Sequence, residues 1–300
     1  MLTRRLTEIG GLEIEGVDLS SPLSADIERE IGRLYDEHGL LVFRDQHLTK
    51  QQLVDATGPF GGPDLDPPVN DTEPDVPGVT VISTRGSTGD IVPDEKEELV
   101  GEICWHTDQA YVTRPNRGKL LYAVTVPEVG GKTGFIDGAL TYAALPDDLK
   151  DRIKGLHVIQ SWAHAREIIH RNRGYRHNNE TVLADDRFPD TAYRLVHEHP
   201  KTGRRVLNLP QQWACGIVEL PGAEGKALMD QLFAHLLQPQ FAYWHDYRPG
   251  DLVAWDNWRF LHAAGGTPRG YVRTMWSVVI RGGPSFGRVL DESGAAAIGR

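Results

Sequence analysis

The 300-residue sequence is poor in cysteine and in long apolar runs. Only Cys104 and Cys215 are present, far apart and in apolar or aromatic surroundings, so we expect two buried thiols in a reducing compartment. No stretch approaches the roughly 20 apolar residues that a membrane span needs, and no apolar segment follows Arg4 and Arg5 as it would in a signal peptide. These absences predict a cytoplasmic protein with no membrane partner.

The sequence also lacks an excess of positive charge. Its formal net charge is −10, and its basic residues are scattered rather than clustered. A nucleic-acid-binding surface needs a basic patch or stripe, so this charge pattern argues against nucleic acid as a partner. We therefore expect a small-molecule partner, and self-association into a homo-oligomer stays open.

What is present is an ordinary globular composition, with 40% hydrophobic and 25% charged residues. Neither an internal repeat nor a long flexible linker is visible, which predicts one domain over residues 1–300. Near the N-terminus a helical stripe ends at Gly39, as a helix C-cap should. A capping box at Thr49 and Gln52 predicts a second, short helix. The residues of the stripe are Ile27, Ile31, Leu34 and Tyr35.

From residue 76 onward, short strand-like runs separated by turn residues dominate the chain. Many short strands of this kind favour a β-sandwich or barrel over a doubly wound sheet. Two helical stretches interrupt them, "GALTYAALPDDLKDRIKG" and "PGAEGKALMDQLFAHLLQ". The prediction is a mainly β fold with peripheral helices. The runs are "GVTVIST", "KLLYAVTV", "RRVLNL", "DLVAWD" and "YVRTMWSVVIR".

Three motifs resemble known sites, but each lacks a residue that the site requires. "GGKTG" resembles the end of a phosphate loop, but Val126 stands where the first glycine is required. "GPSFG" places Ser285 in a nucleophile-elbow pattern, yet that elbow needs a later histidine and the last one in the chain is His262. "HEH" at residues 197–199 has no third ligand close in sequence, so we interpret it as a solvated hairpin end.

A metal-binding pattern occurs in "CWHTDQAY", residues 104–111. If this stretch is a strand, His106 and Asp108 share one face, although the spacing alone favours a surface ion pair. A 2-His-1-carboxylate metal site needs a third ligand, and His262 in "GDLVAWDNWRFLHAAGG" is the best candidate. A lone histidine among apolar residues is otherwise most often a core side chain.

Arg273 favours the metal-site interpretation, because it follows His262 by eleven residues inside the otherwise apolar run "YVRTMWSVVIR". A buried arginine is costly unless a carboxylate binds its guanidinium in bidentate fashion. A diacid co-substrate would supply that carboxylate.

Four motifs in order, "WHTD", "VPEVGGKTGF", "GDLVAWDNWRFLHAA" and "GYVRTMW", together resemble the taurine dioxygenase and 2,4-dichlorophenoxyacetate dioxygenase family of non-haem iron, 2-oxoglutarate-dependent oxygenases. The N-terminal "IGGLEIEGVDLSSPL" and "DEHGLLVFRDQHLT" are similar to that family too, so the resemblance covers nearly the whole chain. It implies a double-stranded β-helix, or jelly roll.

The resemblance also implies roles for individual residues. His106, Asp108 and His262 match the ligands of Fe(II), and Thr133 and Arg273 match the pair that anchors 2-oxoglutarate. The implied reaction consumes O2 and 2-oxoglutarate and releases succinate and CO2, with hydroxylation as the default and desaturation or ring closure left open.

Two alternatives stay open at this point: a jelly-roll metalloenzyme of another class, such as a zinc hydrolase or cupin isomerase, and a non-enzymatic small-molecule binding jelly roll. Neither requires a buried cation after the last metal ligand, so Arg273 favours the oxygenase.

The substrate is the least determined feature. Relatives that oxidise sulfonates or phenoxyacetates carry an arginine four residues after the 2-oxoglutarate arginine, where this chain has Ser277. Without that cation we expect a neutral or amine-bearing, aromatic or cyclic substrate rather than taurine or a simple aryloxyacetate. An inward-reaching Arg281 would overturn this expectation. The other residues that the resemblance places around the substrate are Asp66, Glu102, Gln109, Tyr111 and Trp213.

Overall fold

Two β-sheets lie face to face and bring the predicted metal and co-substrate residues together between them. In the computed structural model, residues 1–68, 72–84, 99–171 and 188–290 are described. The larger sheet has the strand order β1-β2-β3-β14-β6-β16-β4, and the smaller has the order β13-β7-β15-β5. The remaining described strands form a sheet of order β12-β8-β9-β17 and the hairpin β10-β11. The mainly β architecture with helices outside it is confirmed.

The strands are β1 (Leu2–Thr7), β2 (Gly10–Glu15), β3 (Leu40–Phe43), β4 (Val79–Ser83), β5 (Leu99–His106), β6 (Gly118–Thr125), β7 (Thr133–Asp137), β8 (His157–Gln160), β9 (Thr191–Arg194), β10 (Val196–Glu198), β11 (Arg205–Leu207), β12 (Ala214–Ile217), β13 (Ala242–His245), β14 (Leu252–Asp256), β15 (Phe260–Pro268), β16 (Thr274–Ile280) and β17 (Gly287–Val289). The α-helices are α1 (Ala25–His38), α2 (Lys50–Asp55), α3 (Gly138–Ala143), α4 (Asp147–Arg152), α5 (Trp162–Arg171) and α6 (Ala223–Leu236).

The core between the two sheets forms because alternate side chains of each strand point inward. Val253 and Met275 of the larger sheet pack in one cluster with Phe135 and Phe260 of the smaller sheet. All four are at most 4% exposed. Full burial of one such side chain stabilises the fold by about 1.5–3 kcal/mol, so this contact fixes the distance between the sheets.

Helix α1 covers the outer face of the larger sheet, as its apolar stripe predicts. Ser24 caps its first turn, and Gly39 closes its end with φ 69°, a left-handed conformation that glycine adopts without strain. The capping box at Thr49 and Gln52 is also present at the start of α2. Both helix predictions near the N-terminus are confirmed.

The outer face of the smaller sheet packs against α6 and the shorter helices. One predicted helical stretch is divided there, because Pro146 ends the run between α3 and α4 and becomes the N-cap of α4. A proline lacks the N–H group that an uninterrupted helix would need at that position. Helix α5 was not predicted from the sequence. Within the described residues, no helix is long and apolar enough to cross a membrane.

The hairpin β10-β11 corrects one expectation. His197 and His199 do lie where the chain enters this hairpin, but they are not solvated. His199 is fully buried with its Nε2 3.0 Å from Oδ2 of Asp256. His197 donates from Nε2 to the carbonyl of Trp258 at 2.8 Å. The hairpin folds over the turn between β14 and β15, so the two histidines of the "HEH" motif make structural hydrogen bonds, while Glu198 between them is exposed.

Candidate active site

Two imidazoles and a carboxylate meet at the inner edge of the smaller sheet. Antiparallel pairing of β5 and β15 sets His106 directly opposite His262, and their ring centroids are 4.0 Å apart. Oδ1 of Asp108 lies 3.6 Å from Nε2 of His262 and 3.8 Å from Nε2 of His106. Candidate ligand atoms of the three residues all lie within 4.8 Å of one another. This arrangement gives one metal ion three ligands from one side.

Asp108 is not on the strand that the sequence pattern predicted. Strand β5 ends at His106, and Asp108 lies in the turn that follows it. The side chain of Asn257 fixes this turn, because its Oδ1 accepts from the backbone N–H of Asp108 at 2.7 Å and its Nδ2 donates to the Asp108 carbonyl at 2.9 Å. The next residue, Gln109, has φ 58°, which turns the chain away from the site. The side chains of His106 and Asp108 therefore converge through a turn rather than through strand alternation.

Electrostatics prepare these three residues for a divalent cation. Burial, together with the neighbouring His262, lowers the pKa of His106 to about 3, so its imidazole is neutral at pH 7. Burial on its own would raise the pKa of Asp108, but Lys119 and the two imidazoles hold it well below its usual range. Nδ1 of His106 donates to the carbonyl of Cys104 at 2.8 Å, which leaves the Nε2 lone pair free to bind a metal. The donor set thus fits a divalent transition metal such as iron.

Arg273 lies deep in the same cavity with its charge uncompensated by the described residues. Its Nε donates to the carbonyl of Gly131 at 2.9 Å, and its guanidinium lies 5.6 Å from the ring centroid of Tyr247. Within the described part of the chain it has no carboxylate partner, and burial lowers its pKa. A buried guanidinium of this kind is stabilised by an anionic ligand that accepts its remaining hydrogen bonds.

Thr133 lies at the start of β7 and lines the same cavity. The hydroxyl of Tyr247 donates to Oγ1 of Thr133 at 3.1 Å, so the Thr133 hydroxyl keeps its own proton to donate to a ligand. Gly131 lets the Arg273 side chain lie close to the backbone beside Thr133, because a Cβ at position 131 would lie 3.0 Å from Cδ of Arg273 and 2.8 Å from Pro127. The residues present can hold a dicarboxylate at this end of the cavity.

One cavity of about 370 Å³ connects the three metal-binding candidates with Thr133 and Arg273. Its volume suits a small organic molecule beside a co-substrate. Five of the six residues predicted around the substrate line this cavity, namely Glu102, Gln109, Tyr111, Trp213 and Ser277.

Asp66, the sixth, does not line the cavity. Its side chain is exposed, and Asp64 and Pro67 line the cavity in its place. The local chain turns there, since Oδ1 of Asp64 accepts from the backbone N–H of Asp66. Arg281 is also exposed and outside the lining, because β16 ends at Ile280 before it.

An aromatic cluster borders the cavity, and its residues Tyr111, Trp162 and Trp213 line it. The Tyr111 ring centroid lies 4.6 Å from that of Trp162 and 5.1 Å from that of Trp213. Phe188 completes the cluster, 4.6 Å from Tyr111. Trp213 is fixed by a hydrogen bond from its Nε1 to the carbonyl of Thr107 at 2.9 Å. Rigid rings of this kind provide apolar contact for a cyclic or aromatic molecule.

Sequence reasoning missed three residues that act on this site: Lys119, Tyr247 and Asn257. Nζ of Lys119 lies 3.1 Å from Oδ2 of Asp108. The strand "KLLYAVTV" was identified, and the same alternation that points Leu121 inward also points Lys119 inward. That alternation was the available signal. No comparable signal marks Tyr247 or Asn257, because their contacts join segments far apart in sequence.

The chain matches one protein family over most of its length. A family model described as "Taurine catabolism dioxygenase TauD, TfdA family" matches residues 3–279. An (S)-phenoxypropionate/alpha-ketoglutarate-dioxygenase from Sphingobium herbicidovorans is 33% identical over 258 residues, with 83% of this chain and 84% of the relative covered. An alpha-ketoglutarate-dependent 2,4-dichlorophenoxyacetate dioxygenase from Cupriavidus pinatubonensis is 32% identical over 263 residues, covering 83% and 86%.

The structure is also similar to a solved one. The crystal structure of AAD-2 in complex with Mn(II) and N-oxalylglycine superposes with a TM-score of 0.75 and 27% sequence identity, covering 95% of this chain and 98% of that chain. The likeness extends over the strands that carry the cavity, and it confirms the jelly-roll fold. Alpha-ketoglutarate is the older name of 2-oxoglutarate.

Proposed function

Since the chain belongs to the TauD, TfdA family of 2-oxoglutarate-dependent dioxygenases, we propose that it uses Fe(II) and O2 to hydroxylate an unactivated C–H bond of a small-molecule metabolite, with release of succinate and CO2. The observation that carries this proposal is the pairing of two features in one cavity. Two histidines and one carboxylate lie at one end, and the Arg273 guanidinium, which has no carboxylate partner among the described residues, lies at the other.

His106, Asp108 and His262 are the proposed iron ligands. Two imidazoles and one carboxylate would hold Fe(II) with a net positive charge, and the side of the ion away from these residues would be left to the co-substrate and O2. Bound iron supplies the one-electron and dioxygen chemistry. The work of these residues is to present their donor atoms from one side and to exclude water from the face that they cover, since both histidines are at most 7% exposed.

Arg273 and Thr133 are the proposed anchors of the distal carboxylate of 2-oxoglutarate. Arg273 offers the remaining N–H groups of its guanidinium, and Thr133 offers the hydroxyl proton that Tyr247 leaves free. A dicarboxylate held there points its oxoacid end along the cavity toward the metal ligands. This explains why a buried arginine is tolerated in this position.

For the primary substrate we propose a neutral or amine-bearing cyclic molecule. Three cationic side chains line the described cavity, and each has a use: Arg273 for 2-oxoglutarate, Lys119 for Asp108 at 3.1 Å and Lys132 for Asp246 at 3.2 Å. Asp64 and Glu102 line the cavity without a cationic partner among the described residues. An ammonium group would therefore find a partner there, whereas a carboxylate would not.

A second candidate is an aryloxyalkanoate, which is favoured by the substrates named for the two relatives above. It requires a cation in place of the missing arginine at Ser277. A panel of taurine, aryloxyacids, amino acids and neutral cyclic compounds, scored by succinate release, separates the two. Brisk turnover of an aryloxyacid supports the second candidate, and turnover of amines or neutral rings supports the first.

The test of the reaction class is spectroscopic. Fe(II) and 2-oxoglutarate, added together without oxygen, should give a weak visible absorption band, and succinate should form when O2 is admitted. Zn(II) in place of Fe(II) is the control, because a d¹⁰ ion gives no such band and no redox chemistry. Absence of the band with Fe(II) would favour a zinc hydrolase, a cupin isomerase or a binding protein.

Two further expectations belong to this proposal. We propose that residues 1–300 form a single oxygenase domain, which the shared core of the two sheets supports. We also propose a cytoplasmic location and a small-molecule substrate as partner, with the oligomeric state to be measured by light scattering.

A further inference from the structure

Lys119 is a half-buried cation of the cavity that has no contact with 2-oxoglutarate or the primary substrate in the reaction proposed above. It is the second residue of β6, a strand flanked on both sides by β14 and β16, where its register partners are Trp255 and Val279. The side chain enters the cavity and is 19% exposed. Because the strand is paired on both sides, the backbone of Lys119 has a fixed position, and its ammonium group reaches Asp108 from there.

The two oxygens of Asp108 have different surroundings. Oδ1 faces the Nε2 atoms of His262 and His106, at 3.6 and 3.8 Å. Oδ2 faces Lys119 at 3.1 Å and has no aligned hydrogen bond from any described residue. The contact with Lys119 is thus an ion pair, and it is the interaction that distinguishes the two oxygens.

We propose that Lys119 is a positioning residue that reserves Oδ2 of Asp108, so that the carboxylate offers the metal Oδ1 alone. This inference rests on the proposed function. A carboxylate free to rotate can bind a metal through both oxygens, which would occupy a position that an oxoacid needs, since an α-keto acid chelates through two oxygens. Lys119 keeps that position open, at the cost of placing a positive charge near a cation.

If Lys119 only stabilised the fold through its ion pair with Asp108, its removal would have a different effect. Removing one partner of a buried pair destabilises the fold and weakens every ligand together. Removing a positioning lysine instead changes two affinities in opposite directions. The metal gains a second carboxylate oxygen and loses a neighbouring cation, while the oxoacid loses a coordination position.

The experiment compares Lys119→Met with Lys132→Met, which removes another cation from the same cavity. Mn(II) binding is followed by loss of the free-ion EPR signal, and N-oxalylglycine binding to the Mn(II) protein by calorimetry. In Lys119→Met, Mn(II) should bind as tightly as in the wild type or tighter, and N-oxalylglycine about tenfold or more weakly. Lys132→Met should change either constant by less than about twofold. Lys119→Arg should restore part of the N-oxalylglycine affinity.

Several results would overturn the inference. These are parallel weakening of both ligands with a lower melting temperature, no change in either, or equal effects in Lys132→Met. If Lys119→Met does not fold, Lys119→Ala must show the same opposite signs. Failure of the wild-type protein to bind Mn(II) and N-oxalylglycine would instead contradict the proposed function, so the two failures are distinguishable.

Discussion

The side-chain amide of Asn257 spans the backbone of Asp108, accepting from its N–H at 2.7 Å and donating to its carbonyl at 2.9 Å. Nδ2 of Asn257 also donates to Oδ1 of Asn116 at 3.1 Å. The backbone N–H of Asn116 in turn donates a hydrogen bond to Oε1 of Gln109. The candidate carboxylate ligand, Asp108, therefore owes its position to a side chain in the turn between β14 and β15. That turn leads directly to His262, so one loop places two of the three candidate ligands.

Replacing Asn257 by alanine should weaken Mn(II) binding by about 10- to 100-fold, the usual effect of removing a group that orients a ligand. Asn257→Asp keeps the acceptor but turns the donor into an acceptor that faces three oxygens, the backbone carbonyls of Asp108 and Asn116 and Oδ1 of Asn116, so it should be at least as damaging. Titration with Mn(II) measures both variants, and circular dichroism checks the fold. Unchanged affinity in Asn257→Asp would contradict the role of the amide.

Replacing His262 by alanine should abolish metal binding and succinate formation, since it removes one of three protein ligands. The control is His47→Ala, because His47 is exposed and outside the cavity. Metal content of the purified protein and succinate release are the two measurements. Full activity in His262→Ala would exclude it as a ligand.

Truncation of Arg273 should act on 2-oxoglutarate far more than on the primary substrate. A charge-assisted bidentate contact stabilises a complex by roughly 1.5–3 kcal/mol, so Arg273→Met should raise the dissociation constant of 2-oxoglutarate about 10- to 100-fold. Arg281→Met is the matched control, from an exposed arginine just after the same strand. Calorimetry with each ligand separates the two effects, and equal weakening of both ligands in Arg273→Met counts against the assignment.

His197 should make the stability of the protein depend on pH in the acid range. Burial lowers its pKa to about 4, whereas an unfolded histidine titrates near 6.5. Between these values the unfolded chain binds a proton that the folded chain does not, so the free energy of unfolding falls as the pH falls. The loss should be roughly 2–3 kcal/mol between pH 7 and pH 4.

Urea unfolding of the wild type and of His197→Gln at several pH values tests this effect. The variant should show a flatter dependence over this range, because its side chain does not titrate. Parallel curves for the two proteins would show that another group causes the pH dependence.

Ser285→Ala should leave oxygenase activity unchanged. The Ser285 hydroxyl is exposed, its one proton lies within reach of the carbonyls of Thr113 and Gly287, and no histidine follows it in the chain. A large loss of succinate formation in this variant would revive a hydrolase interpretation, and hydrolysis of an activated ester is the direct check.

Local patterns predicted the parts of the fold that depend on local chemistry. The stripe and the glycine cap of α1 and the capping box of α2 are properties of a few adjacent residues, and the structure confirms them. The alternating runs likewise predicted the β core. The division between α3 and α4 was predictable too, since Pro146 stands in the sequence, but the helical period on either side of it concealed the break.

Features that depend on distant contacts were not predictable. His199 is buried because Asp256, on another element, accepts its hydrogen bond, and no local pattern records that pair. Asp64 rather than Asp66 lines the cavity because the chain turns between them. A resemblance to a family does not fix the position of such a turn to within two residues. The inward direction of Lys119 followed from strand alternation, but a lysine at a strand end ordinarily suggests solvent.

The direct pairing of β5 with β15 also sets the moment in folding at which a metal can be captured. His106 and His262 are separated by about half of the chain, so their strands meet only after a large loop has closed. Contacts of such long sequence separation form slowly and late. A refolding chain should therefore acquire its core helices and hairpins before it can retain Mn(II). The rate of Mn(II) uptake during refolding would then measure the rate at which β5 pairs with β15.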